Sequence, residues 1–284
     1  MGETISKAVL ITGCSTGIGR ATAELLASKG WTVYATARKP ETIRDLASRG
    51  CQILALDVCD DASIQAAVAA VEQAEGAVGV LINNAGYGQE GAFEEVPMEQ
   101  VRRQFETNVF GLTRLTQLVL PGMRRQRWGK IVNLSSVGGR LTFPGGGFYH
   151  ATKHAVEALS DALRFEVRAF GIDVVVIEPG TIKTRFGDTA IDSIHSVTQS
   201  SSPYAAFNTA VAAKVREAYE GPMARLAAGP EAVAAVIETA LTARRPKTRY
   251  PVTAGAHIVL GLRRWLSDRA FDAFLRTQFK SPTP

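Results

Sequence analysis

Tyr149 and Lys153 stand four residues apart, and Ser136 precedes the tyrosine by thirteen. On a helix, positions i and i+4 lie one above the other, so the spacing predicts an ammonium within several ångströms of a phenol. A free phenol, with a pKa of about 10, is a poor proton carrier near neutrality. A nearby cation favours the phenolate by up to about 4 kcal/mol at an effective dielectric of 20, which leaves a downward shift of roughly two to three units after desolvation. Tyr149 is then an acid/base able to exchange a proton with an alcohol or carbonyl oxygen. Exposed pairs of this kind are often inert, so the reading depends on what else the chain carries.

A second feature lies upstream. The apolar run Ala8-Val9-Leu10-Ile11 leads into Thr12-Gly13-Cys14-Ser15-Thr16-Gly17-Ile18-Gly19, and Ala21-Thr22-Ala23-Glu24-Leu25-Leu26 continues as a helix. This order of strand, turn and helix gives the glycines a purpose. They admit positive φ, let backbone N–H groups approach a pyrophosphate, and allow the helix to close on the strand. Phosphates then meet the positive end of the helix. At the end of the next strand, Trp31-Thr32-Val33-Tyr34-Ala35-Thr36-Ala37, an acidic residue would bind a free ribose 2′-OH. Arg38 and Lys39 stand there instead. A guanidinium fork suits a 2′-phosphate, so the expected cofactor is NADP (NADPH) in preference to NAD.

The glycine spacing is Gly-x-x-x-Gly-x-Gly, and it occurs with Tyr-x-x-x-Lys. Asn83-Asn84-Ala85-Gly86 follows the strand Val78-Gly79-Val80-Leu81-Ile82, and Asn108 opens Asn108-Val109-Phe110-Gly111. Asn133-Leu134-Ser135-Ser136 ends another strand, and Pro179-Gly180 closes Val174-Val175-Val176-Ile177-Glu178. In this order, from residue 8 to about 184, the chain resembles the short-chain dehydrogenase/reductase family of the classical type. The resemblance implies a tetrad of Asn108, Ser136, Tyr149 and Lys153. Ser136 would hydrogen-bond the substrate oxygen, and Tyr149 would give or take its proton. Lys153 would lower the phenol pKa and hold the nicotinamide ribose, and Asn108 would position a water that feeds protons to the lysine. The resemblance also assigns cofactor contacts to Gly13, Ser15, Thr16, Gly17, Ile18, Gly19, Asn84, Ala85, Gly86, Tyr149 and Lys153. Asp57 and Val58 match the adenine contact, and Pro179, Gly180, Ile182 and Thr184 match the segment over the carboxamide. Thr16 is neutral where the family often has a second basic residue. The whole chain, including Arg249-Tyr250-Pro251-Val252 and the tail beyond, is most similar to the branch of 17β-hydroxysteroid and retinol dehydrogenases. That branch implies a small lipophilic alcohol or carbonyl substrate and a homodimer or homotetramer.

The elements that must position these residues alternate between strand and helix. With 284 residues and 46% hydrophobic content, the chain predicts one Rossmann-type α/β domain over 1–284. Strands are expected near 7–12, 31–36, 52–56, 78–82, 129–134, 172–177 and 249–252. They form a doubly wound, seven-stranded parallel sheet with helices on both faces and the cofactor at the carboxyl ends of the strands. Residues 185–221 form a substrate loop or lid, in which the polar run 196–203 connects to a helix from about 204 to 219. Phe143, Phe148, Phe186, Tyr204 and Phe207 offer apolar walls. A helical extension covers 254–284. Its stretch 257–279 is amphipathic and basic, which fits packing beside the pocket or against a second subunit better than a helix lying on a membrane.

Other classes find less support. The N-terminus has no apolar signal core, and no run approaches 18 apolar residues, so a cytoplasmic location is expected. Three cysteines without metal-ligand grouping read as reduced thiols. His150 and His154 are interleaved with Tyr149 and Lys153 and lack a glutamate in the metallohydrolase pattern, so no metal site is expected. The net charge of +5 is spread among acids, which argues against nucleic acid. The expected function is reversible NADP(H)-dependent hydride transfer to or from a lipophilic alcohol or carbonyl. The alternatives are a catalytically silent NADP(H)-sensing module and a nucleotide-sugar epimerase or dehydratase. A sensor has no need of the full tetrad, and the sugar-modifying enzymes carry a different glycine spacing.

Overall fold

The computed structural model describes residues 5–279. Seven strands, β1 (Val9–Ile11), β2 (Val33–Ala37), β3 (Cys51–Ala55), β4 (Val80–Asn83), β5 (Gly129–Leu134), β6 (Ile172–Pro179) and β7 (Arg249–Val252), form one parallel sheet in the order β3-β2-β1-β4-β5-β6-β7. β1, β2, β4 and β5 are buried at every position, as expected of parallel strands covered on both faces.

Ten helices accompany them: α1 (Gly17–Ser28), α2 (Asp61–Glu75), α3 (Met98–Phe105), α4 (Gly111–Arg125), α5 (Gly147–Val167), α6 (Phe186–Val197), α7 (Ala205–Glu220), α8 (Pro230–Thr242), α9 (Ala254–Trp265) and α10 (Asp268–Gln278). Leu26 of α1 and Val233 and Ile237 of α8 pack on one face of the sheet. Val68 of α2 and Leu115 and Met123 of α4 pack on the other. The strand order reverses between β1 and β4, which opens a crevice at the carboxyl ends of the strands where the glycine turn emerges.

A buried amide ladder fixes the middle of the sheet. Asn83 Nδ2 donates to Asn133 Oδ1 at 2.9 Å and to Thr116 Oγ1 at 3.2 Å, while Asn133 Nδ2 donates to Ser160 Oγ at 2.9 Å. β4, β5, α4 and α5 are thereby locked in register. At the far edge, Arg249 of β7 gathers acids from two other elements. It meets Glu157 at 3.0 Å and Asp161 at 2.6 Å on α5, and Glu178 of β6 at 3.4 Å. Arg140 reaches Glu178 from the loop after β5 at 3.0 Å.

Three local features depart from the sequence reading. A five-residue π-helical segment, Glu106–Phe110, joins α3 to α4 and carries Asn108. Helix α6 continues through Val197, so the irregular stretch before α7 starts later than the polar composition of 196–203 suggests. The basic tail is two helices, because Leu266 is extended and Ser267 caps α10 through a 3.4 Å bond from Ala270 N–H. Among the described residues, no helix is long and apolar enough to cross a membrane.

Candidate active site

The glycine turn is held open by close backbone packing. Gly13 adopts φ +75°, and a Cβ there would stand 3.0 Å from Ala85 Cα. A Cβ on Gly19 would come within 2.5 Å of Gly13 O, so no other residue fits without moving the turn. Asn84 Nδ2 donates to Thr12 O at 2.8 Å and Gly13 O at 3.1 Å, and Thr12 Oγ1 accepts from the N–H groups of Asn84 and Ala85. Asn84 and Ala85 thus brace the turn. The start of α1 has neither a side-chain cap at Thr16 nor an acid in its first turn. Ser15 and Thr16 are exposed, while Ile18 packs against the core behind them. These uncapped N–H groups and the glycine cradle fit the diphosphate of a dinucleotide.

The remaining expected cofactor contacts follow the carboxyl ends of β2, β3 and β6. Arg38 is exposed at the end of β2 and has no ion-pair partner among the described residues. Asp57 accepts from Cys59 N–H at 3.0 Å, and Val58 packs against Gly111. Thr184 lies over the turn, with its methyl 3.2 Å from where a Cβ of Gly17 would be. Ile182 is buried and bridges to Ala228, and Gly180 N–H donates to Val252 O at the end of the sheet, next to Pro179.

Tyr149 and Lys153 lie on the buried face of α5, with Lys153 Nζ 5.9 Å from the phenol ring centre. Nζ donates to Leu134 O at 2.6 Å. Between them on the helix, Thr152 Oγ1 donates to Tyr149 O and accepts from Asn108 Nδ2 at 3.0 Å. Asn108 also donates to Tyr87 O at 2.9 Å and accepts from Tyr87 N–H at 3.1 Å. Its Oδ1 and Lys153 Nζ lie 3.1 and 3.7 Å from one point beside the exposed Gly86, the Cβ position of that glycine. Ser136 caps the short helical turn Val137–Gly139 by accepting from Gly138 N–H at 3.0 Å.

The electrostatics differ from the sequence expectation. Burial pushes the Tyr149 phenol above its ordinary value, and the Ser136 hydroxyl pulls it back only in part. Burial also pushes the Lys153 ammonium down to about 8, against the attraction of Glu157. The expectation had the cation's attraction outweigh desolvation. Here both groups are buried, so desolvation outweighs their attraction, and the ammonium is directed to a backbone carbonyl.

The walls also sort differently from the sequence grouping. Phe186 is 5.3 Å from Tyr149, ring to ring. Phe143, Phe148, Tyr204 and Phe207 instead line a neighbouring cavity of about 670 Å³, which Phe271 and Leu275 of α10 close. His150 accepts from Phe143 N–H at 3.2 Å, and burial pushes it down to about 4, so it is a neutral prop for the loop after β5. Among the described residues, no group of metal-ligating side chains occurs. The sequence reading passed over Thr152, Tyr87, Glu90 and Tyr219. Burial pushes the Glu90 carboxyl up to about 7, and burial with the neighbouring Glu90 pushes Tyr219 up to about 12. The signal for Glu90 was an acid set among glycines and apolar residues just after Asn83-Asn84-Ala85-Gly86.

Comparison with known proteins agrees with this geometry. Residues 7–193 match the sequence model of the short chain dehydrogenase family. The chain is 38% identical over 276 residues to the uncharacterized oxidoreductase YbbO of Escherichia coli K12, covering 97% of this chain and 96% of that one. It is 33% identical over 284 residues to the NADPH-dependent 3-dehydrocapnine reductase of Ornithobacterium rhinotracheale, covering 96% and 98%. The crystal structure of a short-chain dehydrogenase from Streptomyces avermitilis superimposes with a TM-score of 0.79 at 35% identity, covering 97% of this chain and 96% of that one. The chain belongs to the short-chain dehydrogenase/reductase family and is an oxidoreductase acting on CH–OH groups with a nicotinamide acceptor.

Proposed function

Given that membership, we propose that the protein transfers a hydride between NADP(H) and a lipophilic secondary alcohol/ketone or primary alcohol/aldehyde of steroid-like or retinoid-like character. The observation that carries this reading is the meeting of three features at the carboxyl ends of β1, β4 and β5: the uncapped start of α1, the Tyr149–Lys153 pair and Ser136. The cofactor, when bound, supplies or accepts the hydride. The protein's part is binding, orientation and proton transfer.

Ser136 holds the substrate oxygen, and Tyr149 exchanges its proton with that oxygen. A ribose hydroxyl is the alternative partner for the Lys153 ammonium that now meets Leu134 O, and a charged Lys153 favours the phenolate. Asn108 Oδ1 and Lys153 Nζ converge on one point, which supports a water relay between them. Through Thr152, Asn108 also fixes the turn of α5 that carries both catalytic groups.

NADP is favoured over NAD by Arg38, exposed and without an ion-pair partner among the described residues, and the 3-dehydrocapnine reductase relative is described as NADPH-dependent. The Phe186 wall and the neighbouring aromatic cavity support an apolar substrate. α6 and α7, within 185–221, act as the lid of a single domain. Because α10 closes the aromatic cavity, the tail is read as part of the pocket wall and not as a membrane helix. Apolar side chains exposed on α3, the π segment and α5 mark a subunit contact. The three free cysteines suit the cytoplasm.

Tyr149→Phe tests the central step. NADPH binding, followed by fluorescence, should persist, while turnover in a screen of steroids, retinoids, fatty aldehydes and simple ketones should fall by roughly 10²–10⁴-fold. Normal turnover in this variant would remove Tyr149 from the proton step.

A further inference from the structure

Proton and hydride transfer leave unused the one carboxyl that lies beside Tyr149 among the described residues, that of Glu90. Glu90 follows the Asn84–Gly86 segment, and its N–H donates to Ser193 Oγ of α6 at 2.9 Å, which fixes it beneath the lid. One carboxyl oxygen lies 3.8 Å from the point where a Cβ of Gly88 would stand, and the edge of the Phe186 ring lies 3.1 Å from the same point. Phe186 in turn packs on Tyr149. The charge of Glu90 also reaches the phenols of both Tyr149 and Tyr219. The carboxyl therefore shares a wall with the proton-transferring group.

The two acids of this chain that are almost fully buried have cations. Glu157 meets Arg249, and Glu178 meets Arg140 and Arg249. Glu90 has no ion-pair or hydrogen-bond partner for its carboxyl among the described residues, and burial alone acts on it. Half-buried in the crevice and without a cation of its own among the described residues, the carboxyl is open to a ligand that brings positive charge. The rings near it, those of Tyr149, Tyr219 and Phe186, offer no positive charge.

We infer that Glu90 determines specificity by receiving a protonated amine of the substrate, so that the substrate is an amino alcohol or the matching amino ketone or aldehyde. This inference rests on the oxidoreductase reading of the crevice and narrows its substrate class. The ammonium forms a charge-assisted hydrogen bond with Glu90, while the hydroxyl or carbonyl oxygen meets Ser136 and Tyr149.

The test pairs 1-aminooctan-2-ol with octan-2-ol, which differ in the amine alone. Calorimetric titration into the protein with NADP⁺ should give the amino alcohol at least about tenfold tighter binding. In Glu90→Gln, which keeps shape and hydrogen bonding but loses the charge, that ratio should fall to near one. A fold defect lowers both affinities together and leaves the ratio in place. Equal binding by the wild type, or an unchanged ratio in Glu90→Gln, overturns the inference. NADP⁺ reduction measured in parallel separates the two levels. Turnover of octan-2-ol without amine preference sinks Glu90's role and leaves the oxidoreductase reading standing. An intact binding ratio with no turnover of any alcohol or carbonyl sinks the proposed reaction and leaves the amine site.

Discussion

Arg38 is exposed at the carboxyl end of β2 and has no ion-pair partner among the described residues, so the proposed role predicts that changing it alters cofactor binding more than stability. Arg38→Asp should cost NADPH about 1.5–3 kcal/mol of binding and shift the kcat/KM ratio toward NADH by tenfold or more. An unchanged ratio would remove Arg38 from cofactor selection. Glu90 acts on stability as well as on binding. Burial pushes its carboxyl up to about 7, near Tyr149 and Tyr219 and with no ion-pair partner among the described residues. Between the usual carboxylate range and pH 7 the folded state then binds more protons than the unfolded one, so stability falls as pH rises through this window. Glu90→Gln should therefore melt higher than the wild type at pH 8, and the gain should vanish by about pH 4. A gain independent of pH would mean that the charge is not its cause. At this scale the sequence showed what covalent spacing dictates: Tyr149 and Lys153 meet because they are four residues apart on one helix. It could not show the isolation of Glu90, which depends on Ser193, Phe186 and Tyr219 about a hundred residues away. Nor could it show the raised Tyr149 phenol, since burial is a property of the assembled crevice.

The Glu106–Phe110 segment shows how an element places a side chain. An extra residue in a helical turn rotates the remainder of the helix, and such turns often occur at functional sites. Here it aims Asn108 between Tyr87 and Thr152, where its amide makes three hydrogen bonds. Asn108→Ala should cost about 2 kcal/mol in urea unfolding, given about 1 kcal/mol per bond and partial relaxation, and should reduce kcat more than it alters NADPH binding. Loss of stability with an unchanged kcat would limit Asn108 to a structural role. Most strands were legible as short apolar runs ended by turn residues, and β5 and β7, though Lys130 and Arg249 interrupt the apolar pattern, fall at the expected residues. The π segment was not, since Glu106-Thr107-Asn108-Val109-Phe110 has no composition that separates it from an ordinary helix. The break in the tail escaped notice for a related reason. The apolar stripe runs through Leu266, and only the extended backbone there lets Ser267 act as a cap.

For the molecule as a whole, the exposed apolar surface points to assembly. Met98, Phe110, Leu159 and Phe165 are open on α3, the π segment and α5, and Phe165 is 88% exposed. Patches of this kind mark interfaces more often than they serve a monomer. A protein with Phe110→Glu and Phe165→Glu should run as a smaller species than the wild type in light scattering coupled to size exclusion. A wild type already monomeric at micromolar concentration would dispose of the contact. The edge of the sheet carries a different consequence, one of timing. Arg249 is made after α5 and β6, yet Glu157 lacks its ion-pair partner until β7 docks, and Glu178 has Arg140 alone. A chain that buried Glu157 before β7 docked would leave that carboxylate without its cation, so burial of the acid and docking of the last strand are coupled. A polypeptide ending before residue 249 would lack that cation on the very helix that carries Tyr149 and Lys153.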